Sequence, residues 1–226
     1  MSQDPTAVLS SAGRTALERV LALLAEERAS VSSVVDARAW QVHVADSLTG
    51  LEVADLRSAQ RIADVGAGAG FPGLALAVAL PTAQVDLIES VSRKCAFIER
   101  AASDAQIANA TVLNTRSEEW AATDGHELYD AVTARAVGRL TTLAELASPL
   151  LKPNGVLVAW KGKRDPEEES QLERAAESLA MTPERVLDVG DRAGSQHRHL
   201  HIIRKTGPTP TNLPRRPGMA KKRPRG

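Results

Sequence analysis

The sequence predicts an α/β protein with a mostly parallel, seven-stranded sheet and helices on both faces. Short apolar runs alternate with helical segments through most of the chain, as expected when parallel strands are joined by crossover helices. A glycine-rich turn after the first strand leads into a helix, which is typical of Rossmann-like folds. The last two strand candidates are joined by a glycine-containing loop, which predicts a β-hairpin closing one edge of the sheet.

Two amphipathic helices are predicted before the first strand, at about 13–27 and 36–51. We therefore divide the chain into an N-terminal helical extension (1–58), a main domain (59–204) and a tail (205–226). On the second helix His43 and Asp46 are three residues apart, and we expect them to pack or pair with each other rather than face a cleft.

The elements of the main domain follow in order. Strands are predicted at 61–65, 84–89, 110–114, 129–134, 156–160, 184–189 and 200–204. Helices are predicted at 74–80, 92–105, 140–151 and 166–179. Pro81 ends the first of these helices, and the Pro153-Asn-Gly155 turn follows the third.

The turn after the first strand reads Asp64-Val-Gly-Ala-Gly-Ala-Gly-Phe-Pro-Gly73. Glycines at 66, 68 and 70 remove side chains where a ligand would lie against the backbone, which predicts a nucleotide-type cofactor site. The alternative is a glycine-rich loop that binds nothing.

Two cofactor patterns overlap in this turn. Residues 68–73 match the dinucleotide pattern G-x-G-x-x-G, and 64–70 match the acid-x-G-x-G-x-G pattern of S-adenosylmethionine methyltransferases. A pyrophosphate prefers a helix start without nearby acids, whereas an acid at Asp64 suits the sulfonium and the amino group of S-adenosylmethionine. The charge therefore favours S-adenosylmethionine, with a nicotinamide-dependent oxidoreductase as the alternative.

Further site residues are predicted where the next strands end. Glu89 ends the second strand, where its carboxylate can accept hydrogen bonds from ribose hydroxyls. Backbone at Ser117 and Glu118, after the third strand, can contact an adenine edge, although a serine followed by acids is also a good helix start. Arg135 follows the fourth strand and is either a cofactor or phosphate ligand or an ordinary surface arginine.

Composition separates the tail from the rest of the chain. Residues 205–226 hold seven Lys or Arg and no acid, which leaves 21 basic against 28 acidic residues before them. The proline-rich composition of the tail predicts an extended, disordered segment. Its charge predicts either a polyanionic partner or merely a solubilising end.

The cysteine content, the length of the apolar runs and the first residues predict a cytoplasmic protein. We also expect a monomer without a metal ion. The single cysteine, Cys95, excludes an intramolecular disulfide and fits a reducing compartment. No apolar run approaches the roughly 20 residues that cross a bilayer, and the first residues do not have the pattern of a signal peptide.

Two features common in other methyltransferases are absent, and their absence indicates which kind of atom accepts the methyl group. The segment after the fourth strand reads Ala134-Arg-Ala-Val137, without the Asn/Asp-Pro-Pro-aromatic motif common in exocyclic-amine methylation. Cys95 is on the wrong element to be the nucleophile used for pyrimidine carbons. A ring nitrogen such as guanine N7 needs neither, because its lone pair attacks without prior loss of a proton.

Over nearly its whole length the chain resembles the bacterial small-subunit ribosomal RNA methyltransferase G family, also called glucose-inhibited division protein B. The resemblance is carried by His43-Val-Ala-Asp-Ser-Leu48, the turn at 64–73, Arg93-Lys94 with Phe97, Arg116-Ser-Glu-Glu119, Thr133-Ala-Arg-Ala136, Lys161-Gly162 and Pro214-Arg-Arg-Pro-Gly218. Residues 29–35 depart from the Asn-rich loop usual in that family.

The resemblance implies a class I S-adenosylmethionine-dependent methyltransferase fold and N7 methylation of a guanine in the 530 loop of 16S rRNA, near the streptomycin site. It implies cofactor contacts at Gly66, Phe71, Ser117, Glu118 and Arg135, to which the turn and the strand end add Gly68 and Glu89. With an RNA substrate in view, we expect five tail residues to bind phosphates: Arg215, Arg216, Lys221, Lys222 and Arg223. A non-catalytic RNA-binding assembly protein with the same fold is the further alternative.

Overall fold

The computed structural model describes residues 4–27, 34, 36–190 and 197–225. Its sheet has seven strands in the order β3-β2-β1-β4-β5-β7-β6. The strands are β1 (Arg61–Val65), β2 (Gln84–Glu89), β3 (Ala110–Asn114), β4 (Tyr129–Arg135), β5 (Leu151–Lys161), β6 (Met181–Asp188) and β7 (His199–Lys205). The first five strands are parallel, and β7 runs antiparallel between β5 and β6. The predicted sheet and its terminal hairpin are confirmed.

Helices cover both faces of this sheet. They are α1 (Ser11–Glu26), α2 (Asp46–Leu48), α3 (Ala54–Ser58), α4 (Gly73–Ala79), α5 (Ser92–Asp104), α6 (Ser117–Ala121), α7 (Leu140–Ala147), α8 (Pro166–Ala175) and α9 (Met219–Lys222). One apolar cluster lies under α1, α4 and α5, and a second lies under α7 and α8. Successive residues of β5 alternate between the two clusters, because side chains of a strand point to opposite faces.

Two predicted boundaries were wrong. The helix expected at 36–51 is instead a π-helical turn (Trp40–Ala45), the short α2 and a 3-10 turn (Thr49–Glu52). The Pro153-Asn-Gly155 segment continues β5 rather than separating it from the preceding helix, with a register shift against β4 and Asn154 at a φ of 69°. Residues 28–33 and 35, which include most of the segment departing from the family pattern, lie outside the described residues.

The C-terminal segment differs most from the prediction. Residues 206–225, which we call the strap, lie against α7 and α6 rather than forming an unpacked tail. Leu213 is buried in the second apolar cluster, and Ala220 is buried in the one-turn helix α9. The composition was misleading because the strap is held mainly by side chains distant in sequence.

Candidate cofactor site

The glycine turn leaves β1 with positive φ angles at Gly66 (71°) and Gly68 (61°), which side-chain-bearing residues rarely adopt. A Cβ on Gly66 would lie 2.7 Å from Cγ2 of Val137, whereas one on Gly68 would meet nothing closer than the Gly66 carbonyl oxygen at 3.8 Å. The two glycines therefore serve different purposes. Gly66 allows close packing at the turn, and Gly68 keeps the outer side of the turn open.

Asp64 has a structural role in this turn. One carboxylate oxygen accepts the backbone N–H of Gly73 at 2.8 Å, and the other accepts the Thr133 hydroxyl at 3.1 Å. Burial raises the pKa of Asp64 to about 6, although these two hydrogen bonds oppose the shift. The carboxylate that favoured S-adenosylmethionine in the sequence is thus buried, and it anchors the start of α4.

Glu89 links the turn to β2. Its Oε2 accepts the Gly68 N–H at 3.0 Å, its Oε1 accepts the Val91 N–H at 2.9 Å, and Lys94 Nζ lies 3.9 Å from Oε2. Each carboxylate oxygen has a second lone pair, so the side chain can still accept hydrogen bonds from a ligand. Two backbone N–H groups thus fix the position of the Glu89 carboxylate.

A cavity of about 360 Å³ lies beside this turn, in the size range of small-molecule sites. Among its lining residues are Gly66, Glu89, Ser117 and Glu118, so the structure brings four of the seven predicted cofactor residues together. Ser117 and Glu118 begin α6, where the first N–H groups of a helix lack intrahelical acceptors. Such donors suit the ring nitrogens of an adenine.

The other three predicted cofactor residues do not line this cavity. Gly68 faces Glu89, as described above. Phe71 is buried and stacks on His43 with ring centroids 5.1 Å apart. Arg135 lies at the end of β4 with its guanidinium turned towards the π-helical segment, where it donates to the Val42 carbonyl at 2.8 Å.

A charged cluster surrounds Arg135. Its Nη1 lies 3.0 Å from Oδ2 of the fully buried Asp46, whose Oδ1 accepts from Arg198 Nε at 2.8 Å. His43 Nδ1 lies 3.4 Å from Arg135 Nη2, while Nε2 lies 2.9 Å from the Val34 carbonyl. His43 and Asp46 thus meet through Arg135, a partner that their spacing on one helix could not indicate.

This cluster contains more positive than negative charge. Asp46 is a single carboxylate bound by two arginines. Burial lowers the pKa of His43, which favours the neutral imidazole, with Nε2 donating to Val34 and Nδ1 accepting from Arg135. With His43 neutral, the four side chains Arg135, Arg198, Asp46 and His43 carry a net charge of about +1.

The strap forms the remaining side of the cavity. The sequence did not indicate this contribution of the strap. Gly218, Ala220, Lys221 and Lys222 are among its lining residues, and the Gly218 N–H donates to Glu118 Oε1 at 2.7 Å. Arg215 was expected to bind phosphate but instead pairs with the buried Glu145 of α7. A possible signal was Glu145 itself, the only acid in the otherwise uncharged segment 140–147.

Comparison with known proteins identifies the family. A model of the family described as rRNA small subunit methyltransferase G matches residues 17–201. The protein named Ribosomal RNA small subunit methyltransferase G from Bacillus subtilis (strain 168) is 34% identical over 200 residues, covering 88% of this chain and 84% of that protein. The chain belongs to the rRNA small subunit methyltransferase G family. The resemblance predicted from its motifs is confirmed.

Solved structures establish the fold class. A SAM-dependent methyltransferase from Aquifex aeolicus superposes with a TM-score of 0.57 at 19% identity, covering 76% of this chain and 94% of that one. Aeropyrum pernix fibrillarin, in complex with natively bound S-adenosyl-L-methionine, superposes with a TM-score of 0.55 at 14% identity, covering 71% and 73%. The predicted class I S-adenosylmethionine-dependent methyltransferase fold is confirmed.

Two further findings concern the described part of the chain. No helix there is both long enough and apolar enough to span a membrane. No cluster of three or more His, Cys, Asp or Glu side chains there could hold a metal ion.

Proposed function

We propose that this protein methylates N7 of a guanine in the 530 loop of 16S rRNA, using S-adenosylmethionine. The observation that carries the proposal is one cavity that unites the glycine turn, Glu89 and the start of α6 at the carboxyl edge of the parallel strands. Ligands of open α/β sheets bind at this edge. Membership of the methyltransferase G family supports the choice of methyl donor and of rRNA as acceptor.

The residues present fit S-adenosylmethionine. Glu89, held by two backbone N–H groups, would accept the ribose hydroxyls. The backbone at Ser117 and Glu118 would contact the adenine, and the open side of Gly68 would let the cofactor approach the turn. Phe71 and Arg135 would lie towards its amino-acid end, beyond the cavity described above. When bound, S-adenosylmethionine supplies a methyl group on a positively charged sulfur.

Methylation of the proposed acceptor atom requires no proton transfer by the protein. Guanine N7 has an in-plane lone pair and carries no proton, so the protein has only to align it with the methyl group. Glu89 and Glu118, the carboxylates that line the cavity, both accept backbone N–H groups. Their bonding suits positioning rather than proton transfer, and we assign no general base.

RNA binding is proposed for the exposed cations of the strap. Arg216, Lys221, Lys222 and Arg223 are exposed, and Lys221 and Lys222 also line the cavity. Cations at this position would hold phosphates while a base reaches the methyl donor. We no longer expect Arg215 to bind phosphate, since its guanidinium is engaged by Glu145. We further propose that the protein acts as a monomer in the cytoplasm.

The decisive experiment supplies tritiated S-adenosylmethionine with small subunits, or with naked 16S rRNA, from cells that lack this activity. Borohydride–aniline treatment then cuts the RNA at N7-methylguanosine. We expect label together with a single cut in the 530 loop. Label without that cut would keep the methyltransferase and reject the target.

A binding comparison tests the alternatives. We expect S-adenosylhomocysteine to bind and NADH not to bind, and the reverse result would favour the oxidoreductase. Binding of S-adenosylhomocysteine and RNA without methyl transfer to either form of the RNA would favour the non-catalytic assembly protein.

The RNA-binding residues have their own test. Replacing Arg216, Lys221, Lys222 and Arg223 together by glutamine should weaken RNA binding. The slope of log K against log salt should also become shallower, by about 0.7 for each phosphate that the variant no longer neutralises. A matched variant carries glutamine at Arg19, Arg57, Arg174 and Arg185, which lie outside the strap. An equal reduction of the slope in both variants would reject a specific role for the strap.

A further inference from the structure

The strap and the glycine turn contribute to the same cavity, although they are about 150 residues apart in sequence. Gly218 and Ala220 of the strap line the cavity together with Gly66 and Glu89. The strap residues are held by anchors within the protein.

Glu145 is the central anchor. Its carboxylate receives two hydrogen bonds from Arg215, Nε to Oε1 at 2.5 Å and Nη2 to Oε2 at 2.6 Å, and Arg225 Nε lies 3.8 Å from Oε2. Glu145 is only 3% exposed, whereas the Arg215 side chain is 21% exposed. A paired fork of this kind fixes orientation as well as distance. Removal of the charge would leave Arg215 without its counterion.

Two further anchors lie beside the cavity. The Thr142 hydroxyl donates to the Ala220 carbonyl at 3.2 Å, and Thr142 itself lines the cavity. The Gly218 N–H donates to Glu118 Oε1 at 2.7 Å. Glu118 therefore binds the strap through its carboxylate, while its backbone lies at the start of α6, where we place the adenine.

We propose that the strap is a wall of the S-adenosylmethionine site at its adenosine end, and that Glu145 is the positioning residue that holds this wall in place. The inference rests on the proposed function, since it assumes that the cavity takes this cofactor. It adds a cofactor-site element that the glycine-turn motif does not contain. It also assigns the strap a second role besides RNA binding, through Gly218 and Ala220 rather than through its exposed cations.

The test measures S-adenosylhomocysteine binding by calorimetry on four forms of the protein. These are the full chain, a truncation lacking residues 215–226, Glu145→Gln, and Glu184→Gln. The last variant breaks another ion pair, between Glu184 and Arg204, that is remote from the cavity and serves as the matched control. The truncation keeps Leu213 and the bonds from Lys205 and Thr209 to Glu127, so the sheet stays covered.

We expect the Kd for S-adenosylhomocysteine to rise at least tenfold in the truncation and about fivefold in Glu145→Gln, with no change in Glu184→Gln. Glu145→Asp keeps the charge and should recover part of the affinity. Circular dichroism and thermal melting verify that every variant is folded. In methyl transfer assays, Glu145→Gln should raise the KM for S-adenosylmethionine while kcat stays within twofold, which a general loss of stability would not produce.

The outcomes separate the two claims. A full chain that does not bind S-adenosylhomocysteine overturns the proposed function and this inference with it. A full chain that binds, with a folded truncation of equal affinity, overturns the wall alone. Equal losses in Glu145→Gln and Glu184→Gln would overturn the role of Glu145.

As a second readout, trypsin cleavage at Lys221 and Lys222 should slow when S-adenosylhomocysteine is added to the full chain, because a ligand packed against the wall makes local unfolding of the strap less frequent. Cleavage at the exposed Arg19, outside the cavity, is the internal reference. Unchanged cleavage at both positions, despite bound ligand, would count against the wall.

Discussion

The two sides of the cofactor cavity are constructed differently. On the turn side, Gly66 and Glu89 come from one βαβ unit, and the backbone N–H groups of Gly68 and Val91 fix the Glu89 carboxylate. On the strap side, Glu118 binds Gly218, Thr142 binds Ala220 and Glu145 binds Arg215. The partners in these pairs are 70 to 100 residues apart in sequence. The turn is thus determined locally, whereas the strap depends on side-chain contacts that form only in the folded domain.

Substitution at Gly66 should have the largest effect and tests how rigid the turn is. Gly66→Val places a Cβ 2.7 Å from Cγ2 of Val137 at a φ of 71°. Backbone strain and overpacking should lower the free energy of unfolding by about 2–4 kcal/mol, and binding of S-adenosylhomocysteine should be lost. Urea denaturation and calorimetry measure the two effects. Gly162→Ala, with nothing within 4 Å, is the control, and a stable Gly66→Val that binds normally would show that the turn can adapt.

Glu89→Gln should have the next largest effect and tests whether the carboxylate held by the two backbone N–H groups is needed. The amide keeps one acceptor but places an NH₂ group next to the N–H of either Gly68 or Val91. We expect the Kd of S-adenosylhomocysteine to rise about tenfold to a hundredfold, and stability to fall by about 1–3 kcal/mol. Glu99→Gln, on the exposed side of α5, should change neither quantity. An unchanged Kd in Glu89→Gln would remove Glu89 from the ribose site.

Glu127→Gln tests the contacts at the start of the strap, where the Glu127 carboxylate accepts hydrogen bonds from Lys205 and Thr209. Burial alone would raise the pKa of Glu127, but these hydrogen bonds outweigh it and lower the pKa to about 2, from an ordinary 4.5. The ionised form therefore stabilises the fold above pH 4.5, and this contribution is lost as the pH falls towards 2.

At pH 7 we expect Glu127→Gln to lower stability by about 2 kcal/mol, because the buried Lys205 loses its counterion. The difference from the wild type should shrink as denaturation is measured at lower pH. Glu18→Gln, exposed on α1, is the control. A difference that does not vary with pH would show that charge at Glu127 is unimportant.

At pH 7 Asp64→Asn should have the smallest effect of the four substitutions, and its pH dependence tests the buried carboxylate of the turn. Burial raises the pKa of Asp64 from 3.8 to about 6, so the folded state binds more protons than the unfolded state between these values. The contribution of Asp64 to stability therefore falls as the pH rises from 3.8 to about 6, by at most about 3 kcal/mol. In Asp64→Asn this part of the pH dependence should vanish, whereas Asp104→Asn should retain it. An unchanged pH profile in Asp64→Asn would show that folding does not raise the pKa of Asp64.

The same contrast explains what the sequence could predict. The strand at 61–65, the turn and the start of the next helix lie in one contiguous stretch, so spacing and residue type were enough to identify them. The strap could not be found this way, because its proline-rich, basic composition is also that of a disordered tail and its partner Glu145 is 70 residues away.

The region around Asp46 was predicted less well for a similar reason. Apolar periodicity indicated a continuous helix, but the segment contains a π-helical turn, and Asp46 at its end binds Arg135 and Arg198. These partners are 89 and 152 residues away in sequence. Helical periodicity indicates which face of a segment is apolar. It does not indicate which residues far away in the sequence contact that segment.

The position of the strap in the chain also has a consequence for biosynthesis. The ribosome makes residues 206–225 after all seven strands of the sheet. The glycine turn and the parallel strands β1 to β5 can therefore begin to assemble on the nascent chain while one side of the cavity is still missing, since domains begin to fold during synthesis. If the strap is a wall of the cofactor site, tight binding comes only after its synthesis, and ligand stabilisation acts on the finished domain rather than on its folding intermediates.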